Sequence, residues 1–287
     1  MSRIAIIGGS GLYQIDGMKT LREEEIDTPF GPPSDALIFG ELGGHEVVFL
    51  PRHGRGHRLL PTEVNYRANI YALKTLQVES IISVSAVGSL REDLHPTDVV
   101  IIDNFFDRTN QTRANTFFGN GIVAHIQMAR PLCDPLRHAL VEAGNAVEAT
   151  VHDRGTYLNM EGPQFSTLAE SQTYRQWGMD VIGMTQMSEA RLAREAEMCY
   201  ATIALVTDYD CWHEEATGET VSVEMVLKYM KQNTETAKQL IREVLPRIPE
   251  SKTCDCSTAI EGAIITDKSV WPEQTVSTLQ PILNKYM

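Results

Sequence analysis

Asp208 and Asp210 stand one residue apart at the end of an apolar run, and they are the first residues here that could act together. In an extended strand, positions i and i+2 project to the same side, so both carboxyl groups would face one ligand. Each could accept a hydrogen bond from a neutral base edge, or one could hold a proton and donate it. An Asx turn closing the strand is the plain structural alternative for any Asp-x-Asp. Four further stretches suit an anion. Gly8-Gly9-Ser10-Gly11 follows a short apolar run, and its glycines let backbone N–H groups turn toward negative charge. Arg52, His53, Arg55, His57 and Arg58 crowd a glycine-containing loop, where an arginine fork can grip phosphate and histidine can add a donor. A solvated basic loop is the alternative. Ser85 and Thr185 place hydroxyls at the ends of two more apolar runs.

These groups need a sheet to hold them. Residues 4–7, 81–87, 99–102, 181–185 and 203–207 read as short buried strands, and 36–40 and 45–50 as a hairpin about Gly43-Gly44. Helices are expected over 62–77, 135–143, 167–177, 188–197 and from Ser222 to about 245. Open α/β sheets bind ligands outside the carboxyl ends of their strands, where these polar groups fall. The 188–197 helix reads as an exposed charged face, with Glu189, Arg191, Arg194 and Glu195 forming pairs along it. Residues 103–121 read as a long polar loop able to serve as a lid or to reach a neighbour. His125, alone in an apolar setting, reads as a core or interface residue. Phe165 is either core or a stacking face for a flat ligand. Val223, Val226, Leu227 and Met230 form the apolar stripe of the long helix. No linker precedes residue 246, so one domain is expected over 1–245, followed by an irregular tail over 246–287 with a possible final helix.

Composition narrows the function. A net charge of -13 argues against general nucleic-acid binding, which needs a basic face. No apolar run is long enough to span a membrane and the amino terminus lacks a signal-peptide layout, so a cytoplasmic protein is expected. Five cysteines without paired zinc-like spacing fit a reducing compartment. Cys254-Asp255-Cys256 could be redox-active or metal-binding, or an accident of a polar tail. His53 and His57 make a poor metal pair, because the arginines beside them repel a cation. As a dinucleotide fingerprint the glycine loop fails at Gln14, where the third glycine should stand.

The ordered segments GGSGLY (8–13), PRHGRGH (51–57), NYRANI (65–70), SAVGSL (85–90), EGPQFST (161–167), GMT (183–185) and ATIALVTDYDCW (201–212) resemble the trimeric purine nucleoside phosphorylase family. Within it, the Asp-Tyr-Asp segment is similar to the branch acting on 5'-methylthioadenosine. The resemblance covers roughly residues 1–245. It implies a single α/β domain whose mixed central sheet partly closes into a small barrel flanked by helices. It also implies a trimer or a hexamer of paired trimers, with the tail at a subunit interface, and no cofactor beyond the co-substrate phosphate. By the same resemblance, Ser10, Arg52, His53, Ser85, Ala86 and Thr185 would bind phosphate. Phe165, Ser166 and Met184 would hold base and ribose, and Asp208 and Asp210 would read the adenine edge. Val223, Val226 and Leu227 would line a 5'-methylthio pocket, with His125 reaching in from the adjacent subunit. No residue is expected to bind a metal. Family members that prefer 6-oxopurines lack the second acid, and an inactive nucleoside-binding module is the reading from another class. Gln164 stands where the family has arginine, and Gln186-Met187-Ser188 replaces a small-residue and proline run.

Overall fold

A computed structural model describes residues 3–9, 11–12, 15–110, 112–214, 221–249 and 253–287. Its centre is β11 (Cys199–Asp208), every residue of which is buried. Alternate side chains of β11 enter two different cores, as the two-residue period of a strand requires. Tyr200, Ala204 and Val206 pack with Ile70 and Leu73 of α1 (Tyr66–Thr75) and Ala190, Leu192 and Ala193 of α4 (Gln186–Glu195). Ala201, Ile203 and Leu205 pack with Leu136 and Leu140 of α2 (Asp134–Gly144) and Ala237, Leu240 and Ile241 of α5 (Val223–Val244). Covering both faces explains why this strand reads as an unbroken apolar run.

β1 (Arg3–Gly8), β4 (His45–Pro51), β5 (Val78–Ser89) and β11 are mutually parallel along the order β4-β1-β5-β11. β3 (Leu37–Leu42) joins β4 through the expected Gly43-Gly44 turn, where both glycines have positive φ. The sheet divides at β5. One arm continues through β11 to β6 (Val99–Ile101) and β8 (Val151–His152). The other leaves the end of β5 through β10 (Val181–Gly183) to β9 (Thr156–Met160) and β7 (Asn104–Arg108). Ile102 and Asp103 connect β6 directly to β7, so the chain itself bridges the two arms.

Several expectations are corrected. The first helix begins at Tyr66, not at Thr62, because the Asn65 side chain caps it by accepting from the Ala68 N–H (3.2 Å). The 103–121 stretch holds a strand, β7, whose alternating exposure marks a half-covered edge. β2 (Lys19–Glu24), an exposed edge strand on β3, was not expected, since its charged residues carry no apolar signal. α3 (Leu168–Gln176) starts as predicted, with Thr167 and Glu170 forming a capping box. Ser222 caps α5 through the Met225 N–H. The tail carries 3-10 turns and two short helices, α6 (Glu273–Thr278) and α7 (Gln280–Leu283). Its Ile260, Leu279, Ile282 and Leu283 are buried in the same core as α1.

Candidate active site

The four parallel strands deliver their carboxyl ends to one edge. Gly8 lies beside Pro51, Ser85 beside Ala204, Ala86 beside Leu205, and Gly88 beside Asp208. β10 then runs antiparallel to the end of β5, with Ile182 against Gly88. That reversal carries the following Thr185 back toward Ser85. The Tyr157 hydroxyl lies between them. Burial raises its pKa, the Ser85 side chain and Thr185 backbone pull the other way, and the hydroxyl makes no full hydrogen bond. Gly183 is required where it stands, because a Cβ there would overlap the Tyr157 phenol.

At the cationic end, Arg52 is buried and pointed inward. Its Nε and Nη2 engage the Glu189 carboxylate, Nη2 also donates to Ser83 Oγ (2.6 Å), and Nη1 donates to the Val84 carbonyl (2.9 Å). Four of the five guanidinium N–H groups are thereby committed. Burial opposes the charge, and Glu189 more than compensates, so the Arg52 pKa moves upward. Glu189 also accepts from Ser83 Oγ (2.6 Å) and the Tyr200 hydroxyl (2.8 Å). Tyr200 reaches Gln186 Oε1 (2.7 Å), which accepts from Thr202 Oγ1 (3.0 Å), while Gln186 Nε2 donates to Thr185 Oγ1 (3.3 Å).

His53 shares the loop but not this network. Its Nδ1 lies 2.8 Å from the Leu59 carbonyl. A carbonyl can only accept, so Nδ1 carries the proton in the neutral ring and Nε2 offers a lone pair. Burial, and then the charge of Arg52, lower the His53 pKa to about 4. The ring stacks on His57 with centroids 4.3 Å apart.

The acid end is built differently. Asp208 Oδ1 accepts from the Asp210 N–H (2.8 Å), so the Asx turn is present, and Oδ2 accepts from Thr207 Oγ1 (2.7 Å). The chain is not extended beyond Asp208: Asp210 has φ 50°, a left-handed conformation costly for a residue with a Cβ. The same-side argument from strand geometry therefore does not apply. The two side chains still converge, because a Cβ built on Gly88 would meet Asp208 Oδ1 at 2.8 Å and Asp210 Cβ at 3.4 Å. Both carboxyl groups are buried and, among the described residues, neither has an ion pair. Burial is the main cause lifting the Asp208 pKa to about 6, with the charge of Asp210 adding to it. Burial also raises that of Asp210, against the pull of Ser171 and Ser166. Among the described residues, Asp210 Oδ2 has no hydrogen-bond partner.

The other predicted residues divide. Ser166 neighbours Asp210, and its carbonyl accepts from the Cys211 thiol (3.3 Å). Met184 packs under Leu158, Met160 and Ile182, against Gly162, where a Cβ would overlap its sulfur. Phe165 is 38% exposed, so it is no core residue. His125 is exposed too, on a segment whose backbone pairs with Ala263 of the tail. Among the described residues, no hydrogen bond joins His125 to the acids. Val223 and Leu227 are each 64% exposed and Val226 is half-buried, so the predicted stripe meets solvent in the single chain. Ser10 lies outside the described residues.

Two elements of the surroundings escaped the sequence reading. α4 is not an exposed charged face: Glu189, Arg194 and Glu195 are all buried. The signal was available, since Glu189 shares a helical face with Leu192, Ala193 and Ala196 at three, four and seven residues. Arg113, inside the long polar stretch, donates to Glu161 Oε1 (2.9 Å), to the Glu161 carbonyl (2.7 Å) and to the Met184 carbonyl (2.5 Å). It thus ties that stretch to the segments bearing Phe165 and Met184.

Residues 3–246 match the model of the phosphorylase superfamily, and the chain belongs to that family. It is 56% identical to S-methyl-5'-thioadenosine phosphorylase of Geobacter sulfurreducens over 99% of both chains. It is 52% identical to the enzyme of the same name from Gloeobacter violaceus, over 99% of this chain and 96% of the other. Among solved structures, a methylthioadenosine phosphorylase from an Antarctic soil metagenome superposes with a TM-score of 0.90 at 49% identity, covering 98% of this chain and 99% of that one. Methylthioadenosine phosphorylase of Schistosoma mansoni, in complex with adenine, superposes with a TM-score of 0.86 at 36% identity, covering 94% and 100%.

Proposed function

We propose that this chain cleaves 5'-methylthioadenosine with inorganic phosphate, giving adenine and 5-methylthioribose 1-phosphate, a step of purine and methionine salvage. The observation that carries the reading is the buried pair Asp208 and Asp210 at the carboxyl end of the central strand, without an ion pair among the described residues and with the Asp208 pKa lifted to about 6. In this reaction a phosphate oxygen bonds to C1' as the C1'–N9 bond breaks, and the electron pair of that bond goes to the purine. The sugar becomes oxocarbenium-like and negative charge grows on the base. A shared proton on the acid pair, delivered toward N7, neutralises that charge, and the remaining carboxylate accepts from the 6-amino group. Proton transfer of this kind contributes about 10²–10⁴ in rate. A 6-oxopurine presents N1–H and O6 there and asks for a different pattern.

Phosphate would sit at the Arg52 end, with Ser10, Ser85, the Ala86 N–H and Thr185 around it. Because His53 is neutral with Nδ1–H tied to Leu59, it would meet phosphate through the Nε2 lone pair, accepting from a P–OH group. Phosphate is the only co-substrate and no cofactor is needed for the chemistry. Phe165 and Met184 would flank base and ribose. The exposed Val223 and Leu227 and the exposed His125 fit a homotrimer, or a hexamer of paired trimers, in which a neighbour's His125 closes the 5' end. A cytoplasmic location fits an enzyme of salvage, and among the described residues no helix is long and apolar enough to cross a membrane.

The test is adenine release from 5'-methylthioadenosine with and without phosphate, beside inosine. Phosphate-dependent release with little inosine turnover is expected. Equal release without phosphate would make the protein a hydrolase, faster inosine turnover would move it to the 6-oxopurine branch, and tight binding without turnover would leave an inactive module.

A further inference from the structure

At the opposite end of β11, four cysteines from three distant parts of the chain meet. Cys199 opens the strand, Cys133 is the N-cap residue of α2, and Cys254 and Cys256 lie in the tail. Their four sulfur atoms all lie within 4.8 Å of one another, with Cys199 and Cys254 sulfurs 3.5 Å apart. Three of the four residues are buried, and none is in a disulfide. The backbone holds the cluster: the Cys133 N–H donates to the Tyr200 carbonyl (2.9 Å), which fixes α2 beside the start of β11.

We propose that Cys133, Cys199, Cys254 and Cys256 form a tetrahedral four-thiolate site for a zinc ion. Zinc–sulfur bonds of about 2.3 Å place tetrahedral sulfurs roughly 3.8 Å apart, so the cluster needs only a small contraction. Binding breaks four S–H bonds, forms four Zn–S bonds and releases four protons to solvent, with no oxidant required. The product carries two net negative charges, and its surroundings suit that sign. Arg194 Nη1 lies 3.5 Å from the Cys256 sulfur, and both of its terminal nitrogens hold Asp255 between the two tail cysteines at 3.1 and 3.0 Å. The N-terminus of α2 adds its positive dipole end beside Cys133. A cavity of about 560 Å³ lined by Cys133, Cys254 and Cys256 opens on the site and gives an ion a way in. With all four positions filled by protein sulfur, the site is closed to substrate, as structural zinc sites are. The ten residues of β11, at about 3.3 Å each, keep it roughly 30 Å from Asp208. Zinc would therefore pin the tail to the foot of the central strand and take no part in catalysis.

The full chain, purified without chelator from zinc-supplemented cells, should carry about one zinc per chain by elemental analysis. Replacing zinc with cobalt should produce thiolate-to-cobalt charge-transfer absorption and the intense visible bands of a tetrahedral site. The C254S/C256S variant should lose metal and spectrum together, unfold at lower temperature and keep its activity. Three results would overturn the proposal: no retained zinc with all thiols reactive, an intact mass showing hydrogens lost in pairs to disulfides, or zinc that persists in the double variant. The cobalt spectrum is read on the unaltered chain, so poor folding of the variant does not block the test.

Discussion

The two ends of the candidate site treat buried charge in opposite ways. Around Arg52, a cation is matched by Glu189, and Ser83, Tyr200, Gln186 and Thr202 extend the hydrogen-bonded chain to Thr185. Around Asp208 and Asp210, two like charges share a buried place where, among the described residues, no cation pairs with them and one carboxyl oxygen is unpartnered, and one residue is held at positive φ. In the first region the buried charges are matched to each other, so it serves as a foundation. The second is left with demands that a ligand could meet, which is where functional strain and raised carboxyl pKa values collect.

The sharpest way to test this contrast is to change one group at each end. Asp208→Asn keeps shape and removes the proton, so turnover of 5'-methylthioadenosine should fall about 10²–10⁴-fold. Apparent phosphate affinity, measured separately, should stay close to that of the unaltered chain. Unchanged turnover would remove Asp208 from the chemistry. At the other end, Glu189→Gln leaves the Arg52 charge buried and unpaired, which costs about 3–5 kcal/mol of stability. Denaturant unfolding should show the loss, and phosphate should restore more stability to this variant than to the parent, since the anion supplies the missing charge. A loss below about 1 kcal/mol, the range of exposed pairs, would mean the network is no foundation.

How much of this was legible depended on how far apart the partners lie. Strands with apolar runs, the Gly43-Gly44 turn and the Thr167 and Ser222 caps are local signals, and they appear where expected. β2 and β7 were missed because edge strands carry charge where pattern reading looks for apolar residues. Glu189 was misread because its charge outweighed its position on the apolar face of α4. The convergence of the acids was anticipated, but by a wrong route, since an Asx turn and a left-handed Asp210 bring them together in place of an extended chain. Cys133 and Cys199 could not be linked to the tail pair at all, because only the packing of α2 against β11 makes them neighbours.

A smaller effect distinguishes the acid end by pH. The Asp208 pKa is raised from 3.8 unfolded to about 6 folded, so the folded state holds the proton more tightly. Its favourable contribution is present below about pH 4 and is lost as pH rises through about 6. A shift of that size is worth at most about 3 kcal/mol, and relaxation of the site should reduce it. In the ligand-free protein, Asp208→Asn should thus raise the melting temperature at pH 7.5 and raise it clearly less at pH 4.5, the reverse of its effect on activity. Equal changes at both values would show that burial of this carboxyl carries no electrostatic cost.

The smallest expected change in stability sits on the first turns of α5, a helix whose two halves repeat the contrast. Leu240 and Ile241 are fully buried, while Val223 and Leu227 on the first turns are exposed. Leu240→Ala should cost about 2–5 kcal/mol through the cavity it leaves. Leu227→Ser should alter the stability of the chain by no more than about 0.5 kcal/mol, as substitutions at exposed sites do. If the first turns cover the 5'-methylthio group, Leu227→Ser should nevertheless raise KM for 5'-methylthioadenosine more than KM for adenosine, with kcat nearly constant. Loss of apolar contact weakens ground state and transition state alike. Equal KM changes for both nucleosides would place the 5' group elsewhere.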